Sequence, residues 1–263
     1  VNKHVNKGDP MDIVYLDFQK AFDKVPHQRL LSKVSCHGIR GKILSWIGNW
    51  LKDRKQRVGI NGQFSEWRVV KNGVPQGSVL GPVLFNMFIN DLEKGVNSEV
   101  AKCADDTKLL KTVKSQADCD ELQKDLSKPG DWATKWQMKF NVDKCKVMHI
   151  GKHNPNYTHK MMGSKLAFTT QERDLGVIVD SSLKTSTQCA EAVIKVNRML
   201  GIIKKGIANK TENILLPLYK SMVCPHLEYC MHMWLPHLKK DILELQEIQK
   251  RETKMIKGIE WLP

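Results

Sequence analysis

Two adjacent carboxylates, Asp105-Asp106, stand between short apolar-leaning runs in Val100-Ala101-Lys102-Cys103-Ala104-Asp105-Asp106-Thr107-Lys108-Leu109-Leu110. Like charges side by side are costly unless a cation lies on them, and in such a setting the usual cation is a divalent metal. Asp17 and Asp23, in Val14-Tyr15-Leu16-Asp17-Phe18-Gln19-Lys20-Ala21-Phe22-Asp23, form a second acidic group that could complete a two-metal site for phosphoryl chemistry. Asp17 closes a strand-like run, and the backbone carbonyl of Phe18 just past it offers one more oxygen ligand. Asp23 lies six residues on, beyond the strand end, and points elsewhere. Taken alone, an Asp-Asp pair is also ordinary turn chemistry.

A second constellation is the loop Gly73-Val74-Pro75-Gln76-Gly77-Ser78. Its two glycines permit close approach of backbone to a base or sugar. The helix that follows presents an N-terminus, where phosphate is favoured. An ordinary strand-to-helix loop has the same composition.

These residues need elements to hold them. Residues 12–18 read as a strand, rich in Ile, Val, Tyr and Phe. Residues 27–52 read as helices broken at Gly38 and Gly41. Residues 56–72 alternate around Asn61-Gly62, a hairpin signal. The run Val79 to Leu92 reads as a helix, with Ser78 as its cap and Pro82 in its first turn. Asp105-Asp106 lies between two short strands. Residues 116–136 read as a helix that Pro129-Gly130 breaks or splits. Residues 145–150 and 175–179 read as strands, and Gly151 to Gly163 as the most loop-like segment. From Ser181 the pattern is helical, over 186–205, 212–233 and 238–257, with Pro217, Pro225 and Pro236 as punctuation. A domain boundary is expected near residue 181, between an α+β domain and a helical one.

The 263 residues are 41% hydrophobic, enough for a sizeable core, and no apolar run approaches the length of a bilayer span. A net charge of +14 suggests a polyanionic partner, nucleic acid before an acidic membrane. The seven cysteines are odd in number and scattered, which points to a reducing, intracellular compartment (nucleus and cytoplasm). The polar start shows no signal peptide, and a chain beginning with Val reads as a fragment or a processed product. The stretch Arg40 to Arg57 is basic with Trp46 and Trp50 interleaved. It reads as a face for a template strand, and its Trp residues as core. Cys224, His226, Cys230, His232 and His237 are of zinc-binding type. Cys224 and His226 are too close for a zinc knuckle, and a packed helix is the better reading.

Asp17-Phe18-x-x-Ala21-Phe22-Asp23, Gly73-Val74-Pro75-Gln76-Gly77 and Ala104-Asp105-Asp106 occur in this order. The order resembles the reverse transcriptases of non-LTR (LINE-type, jockey-like) retrotransposons. The similarity continues through Trp136-Gln137-Met138-Lys139-Phe140-Asn141-x-x-Lys144-Cys145-x-Val147-Met148 and Asp174-Leu175-Gly176-Val177. It runs on into Leu216-Pro217-Leu218-Tyr219-Lys220 and Pro225-His226-Leu227-Glu228-Tyr229-Cys230, nearly the whole chain.

The resemblance implies an α+β fold: a right-hand polymerase palm, an antiparallel sheet with packed helices over residues 1–180, followed by an all-helical thumb over 181–263. It implies RNA-directed DNA polymerase activity by two-metal nucleotidyl transfer onto a primer 3′-hydroxyl. The partners implied are an RNA template, a DNA primer and deoxynucleoside triphosphates, with no membrane and no obligate protein partner. Asp17, Asp105 and Asp106 would bind two Mg2+ ions, with Mn2+ as a substitute. Phe22 would be a steric gate against a 2′-hydroxyl, and Gln76 and Gly77 would line the template-base and nucleotide pocket. Lys144 would lie near the pyrophosphate, although a surface lysine reads the same way. Asp174 to Val177 would form the primer-grip hairpin.

The chain departs from the family pattern where Cys103 replaces an aromatic residue before Ala104, and where Pro129 replaces an aliphatic one. The fingers and an endonuclease region are expected upstream of residue 1. The rival reading is therefore a truncated, catalytically inactive nucleic-acid-binding remnant. A group II intron maturase-like factor is the third.

Overall fold

The computed structural model describes residues 7–254. In chain order the elements begin with β1 (Met11–Leu16), α1 (Ala21–Lys24), α2 (His27–Cys36) and α3 (Gly41–Leu51). Short strands β2 (Lys55–Gln56), β3 (Gly59–Ile60), β4 (Gln63–Phe64) and β5 (Arg68–Val69) follow. Then come α4 (Leu80–Ile89), β6 (Glu99–Cys103), β7 (Asp106–Thr112), α5 (Gln116–Trp136), β8 (Lys146–Ile150), β9 (Lys160–Met161), β10 (Ser164–Lys165) and β11 (Ala167–Phe168). The chain divides into two compact units, up to Thr169 and from Thr170.

The first unit is built on a five-stranded sheet in the order β11-β8-β1-β7-β6, antiparallel except for the β11–β8 pair. β1 is central, and Met11, Ile13, Val14 and Leu16 are all buried, which explains why its sequence alternates so weakly. Val14, Leu16, Leu109 and Val147 of the sheet share one core with Leu30 and Val34 of α2, Phe85 and Phe88 of α4, and Leu122 and Leu126 of α5. Helix faces and strand faces meet there because each hides its apolar side from water only against the other.

Pro129 does not break α5, contrary to the expectation from sequence; the helix runs unbroken from Gln116 to Trp136. A Pro inside a helix costs about 3 kcal/mol. Leu122, Leu126, Pro129 and Ala133 are buried together on one face, and burial on that scale outweighs the lost bond. A capping box between Ser115 and Asp118 starts the helix.

Three buried polar clusters tie the layers of this unit. Asp12 accepts hydrogen bonds from His149 Nδ1 (2.6 Å), His159 Nε2 (2.9 Å) and Asn154 Nδ2 (2.8 Å). Burial would raise its carboxyl, but these donors outweigh burial and hold it below the ordinary range. The segment 151–160, loop-like by composition, is thereby pinned to β1, and Lys160–Met161 pairs with β10. Lys33 of α2 lies in a box of rings, 3.8 Å from the centre of Trp136, 4.6 Å from Trp132 and 4.9 Å from Phe88. Its ammonium also donates to Asp91 and to the Phe88 carbonyl. Asp125 of α5 accepts from the N–H groups of Asn97 (3.1 Å) and Ser98 (2.7 Å), from Ser98 Oγ (2.6 Å) and from Lys128 Nζ (2.7 Å).

The second unit carries the antiparallel hairpin β12 (Gln171–Asp174) and β13 (Val177–Asp180). It continues with α6 (Ser186–Gly206), α7 (Glu212–Met222), α8 (Cys224–Glu228), α9 (Met231–Trp234) and α10 (Lys239–Thr253). The single helix expected over 212–233 is three pieces. Pro225 starts α8, and Cys230 takes a positive φ of 51° before α9. Residues 255–257 of the last expected helix lie outside the described residues. Val196, Leu200, Ile203, Leu215, Val223 and Ile248 form this unit's core, and Trp234 packs with Cys189 and Ala192.

Asp125 yields a prediction. Burial alone would raise its carboxyl, but the four donors hold it at about 2, below the unfolded value of 3.8. Its contribution is present above the unfolded value and is lost as pH falls from about 4 toward 2. Asp125→Ala is expected to lose about 2–4 kcal/mol at neutral pH. In urea titrations, the stability gap between the native protein and Asp125→Asn should narrow as pH drops through that window. A gap independent of pH would refute the assignment.

Candidate active site

The site is built by strand register. β1 and β7 pair antiparallel with Leu16 opposite Thr107, so one pair further along Asp17 comes opposite Asp106. On its other side β1 pairs with β8 as far as Tyr15 opposite Lys146; beyond that pair residues 142–144 form a turn, and the chain pairs again at Phe18 opposite Phe140. From that turn the Lys144 side chain reaches back, with Nζ 3.6 Å from Asp17 Oδ2. Asp17 thus stands in the sheet between an acidic neighbour and a basic one. Asp105 sits in the two-residue turn that joins Cys103 to Asp106 across the β6–β7 hairpin. Ala104, the first residue of that turn, takes a positive φ of 53°, a conformation unfavourable for any residue with a Cβ.

Asp17 is held by backbone. Its carbonyl accepts the N–H of Asn141 at 2.8 Å, and its N–H points at Cys145 Sγ, 3.4 Å away. Gln19 N–H donates to the Lys139 carbonyl at 2.8 Å, and Phe18 bridges Phe140 with the two rings stacked at 4.2 Å. Carbonyls alternate along extended chain, so with Asp17 C=O directed at Asn141, the Phe18 carbonyl is directed to the opposite, β7 side. Burial pushes the Cys145 thiol up to about 11, so it stays neutral beneath Asp17. Asn141 and Cys145 are functional neighbours that reading the sequence did not single out. The signal was present in the stretch Phe140-Asn141-x-x-Lys144-Cys145, which turns on the Lys144 and Cys145 N–H bonds to the Asn141 carbonyl.

A second corner gathers around Phe22. Val74 N–H donates to the Phe22 carbonyl (2.8 Å) and Gly73 N–H to the Val25 carbonyl (2.8 Å). Gln76 Nε2 donates to Asp23 Oδ1 at 3.1 Å, so Asp23 serves the loop and not the carboxylate pair. The Phe22 ring stacks on Phe85 at 4.6 Å, and Gln76 and Gly77 are exposed. Ser78 Oγ accepts from Gly81 N–H at 3.0 Å and donates to the Pro75 carbonyl at 2.6 Å, which locks the loop to the start of α4.

The acidic groups meet the requirements of a hard divalent cation in type: all are carboxylates, on adjacent strand ends, at least partly open to solvent. Among the described residues, no group of three or more His, Cys, Asp or Glu is already gathered to hold a metal ion. That is compatible with Mg2+, which takes one or two protein carboxylates and completes its shell with water and phosphate oxygens. The Cys224 to His237 stretch likewise forms no such group among the described residues.

One expectation about the basic stretch is overturned. Trp46 is 53% exposed and stacks on half-buried Trp50, with ring planes 11° apart and centres 6.4 Å apart. The buried face of α3 is set by Ile47, Gly48 and Leu51, so Trp46, one residue earlier, is turned about 100° away from it.

Residues 4–189 match the family model described as reverse transcriptase (RNA-dependent DNA polymerase). The RNA-directed DNA polymerase from mobile element jockey of Drosophila funebris is 29% identical over 269 residues, covering 94% of this chain and 28% of that relative. The probable RNA-directed DNA polymerase from transposon BS of Drosophila melanogaster is 28% identical, covering 92% of this chain and 28% of that relative. The chain therefore spans about 28% of the length of these curated relatives. Among solved structures, apo telomerase from Candida tropicalis is similar with a TM-score of 0.52 at 13% identity, covering 97% of this chain and 43% of that one. At that identity the likeness is one of fold, a mixed α/β arrangement shared with reverse transcriptases and telomerase.

The loop supplies a test. Gly73 has φ +94°, and a Cβ there would meet the Phe22 and Asp23 carbonyl oxygens at 2.7 Å. Gly73→Ala should therefore cost about 2–4 kcal/mol, from strain and contact together. Thermal unfolding measures it; a variant as stable as the parent would show that the loop does not depend on this backbone contact.

Proposed function

The chain belongs to the reverse transcriptase (RNA-dependent DNA polymerase) family, and from that premise we propose that it copies RNA into DNA as the polymerase region of a non-LTR, jockey-like element. The observation that carries the reading is the register that brings Asp17 beside the Asp105-Asp106 turn, with Lys144 on its other flank. In this reading the first unit is the polymerase palm, and the helices beyond residue 181 are the thumb.

The reaction is attack of a primer 3′-hydroxyl on the α-phosphate of a deoxynucleoside triphosphate paired to an RNA template, with pyrophosphate leaving. Asp17, Asp105 and Asp106 would hold Mg2+, or Mn2+ in its place. A bound divalent ion supplies a lowered pKa at the attacking hydroxyl and charge neutralisation at the phosphates. The remaining work falls to the protein's own groups. Lys144, now against Asp17, carries a mobile ammonium that can shift to the leaving phosphate and protonate it. The Phe18 carbonyl, directed to the β7 side, adds an oxygen beside the carboxylates. Phe22, whose ring is backed by Phe85, would clash with a 2′-hydroxyl on the incoming nucleotide. Gln76 is tied to Asp23, and its neighbour Gly77 has φ +78°, which lets backbone approach a base pair closely.

The rival reading, a nucleic-acid-binding remnant without catalysis, drew on the fingers expected upstream of residue 1, on Cys103 and on Pro129. The unbroken α5 removes Pro129 from that argument and leaves the other two.

Primer extension on an RNA template with Mg2+ decides between them. Asp105→Ala and Asp17→Ala should lower extension by about 100-fold or more. No extension by the native chain above the Asp105→Ala background would favour the remnant. Phe22→Ala should raise ribonucleotide incorporation relative to deoxyribonucleotide by roughly 10-fold or more, and unchanged discrimination would remove Phe22 from the gate.

A further inference from the structure

The hairpin between α3 and the Gly73 loop is hydrogen-bonded from base to turn but contributes nothing to the core. Asn61 and Gly62 both take positive φ (49° and 80°), as the tightest hairpin turn requires. Ser65 N–H donates to the Val58 carbonyl (2.8 Å), Val58 N–H to Ser65 Oγ (2.9 Å), and Val70 N–H to the Arg54 carbonyl (2.8 Å). These bonds carry the ladder through its irregular middle and close its base. Yet every residue from Lys55 to Val69 is exposed, including Phe64 (60%) and Trp67 (58%). The Arg57 guanidinium lies over both rings, 3.9 Å from the centre of Phe64 and 4.6 Å from that of Trp67.

Large rings left in water beside a cation call for a partner with flat faces and negative charge. The hairpin and its base supply the charge complement: Lys52, Arg54, Lys55, Arg57, Arg68 and Lys71 stand against Asp53 and Glu66. Nucleobases stack on such rings at little cost in specificity, and phosphates answer the arginines. A duplex hides its base faces within its own stack, so the partner is unpaired.

We propose that the Arg54–Val70 hairpin is a stacking platform for single-stranded RNA, with Trp67 and Phe64 as the base contacts and Arg57 holding the two rings and a phosphate. The inference rests on the polymerase reading for its polynucleotide partner: the unpaired template beyond the growing duplex. Its hydrogen bonds matter, because a platform already formed loses less conformational freedom on binding than an open loop would.

Fluorescence anisotropy with labelled single-stranded RNA and with an RNA–DNA duplex of equal length, at two salt concentrations, tests it. Trp67→Ala should weaken single-strand binding about 5- to 100-fold at both salt concentrations, because stacking is not screened. Duplex binding should stay within about 2-fold, and Trp67→Phe should restore most of the single-strand affinity. Arg57→Ala should also make the salt dependence shallower, by roughly one phosphate contact. Unchanged single-strand binding in Trp67→Ala, or an equal loss on duplex, would overturn the proposal. The polymerase reading is tested apart from it by Asp105→Ala, which should abolish extension and leave RNA binding intact. A native chain that extends primers while Trp67→Ala binds RNA normally loses only the hairpin proposal. A chain that binds RNA through Trp67 without extending primers loses only the polymerase.

Discussion

The pairing of β1 between β7 and β8 is the constraint on which the rest of the molecule depends. Side chains alternate along a strand, so a slip of one residue would exchange the two buried faces of β1, taking Val14 and Leu16 from the core they share with Leu109 and Val147 and Asp12 from its hydrogen-bond donors. The same slip against β7 would carry Asp17 away from Asp106. Stability and chemistry therefore share one register. The burial of Val14, Leu16, Leu109 and Val147 enforces it, each contributing roughly 1.5–3 kcal/mol. The exposed carboxylates at the strand ends could not enforce it, since their mutual repulsion opposes the arrangement.

Buried polar groups add what apolar packing lacks, a single permitted position. Hydrophobic contact tolerates sliding; a buried carboxylate with several directed donors does not. Asp12 locks the segment 151–160 to β1, and Asp125 locks the start of β6 to α5. Lys33 locks α2 to α4 through Asp91 and the rings of Phe88, Trp132 and Trp136. Each cluster joins residues far apart in sequence, so each forms only when the tertiary arrangement is already correct.

The distribution of charge separates two kinds of surface. At the end of β1, Asp17 meets Lys144 at 3.6 Å beside the strand that carries Asp106. Along the Arg54–Val70 hairpin a single cation, Arg57, lies over two exposed aromatic rings, the arrangement on which the proposed RNA platform rests. A net charge of +14 describes neither arrangement, because it sums over both.

Much was legible in the residues. The Asn61-Gly62 turn, the Ser78 lock on α4 and the break at Gly38 and Gly41 follow from local backbone energetics, which the sequence alone encodes. The order of the Asp17, Gly73 and Asp105 motifs was enough to point to a polymerase, since chemistry restricts residue type more tightly than position. What local rules misjudged was decided by burial. Pro129 stays within α5 because its face is covered; Trp46 lies outside because the core chose Ile47 and Leu51. The attachment of Asn141 and Cys145 to Asp17 was equally out of reach, since it joins residues more than a hundred positions apart. The sequence by itself determined which groups could do chemistry. The tertiary structure alone decided that Asp17 stands beside the strand of Asp106 and within 3.6 Å of Lys144, because strand pairing across the core and the turn after Asn141 set which residues face one another.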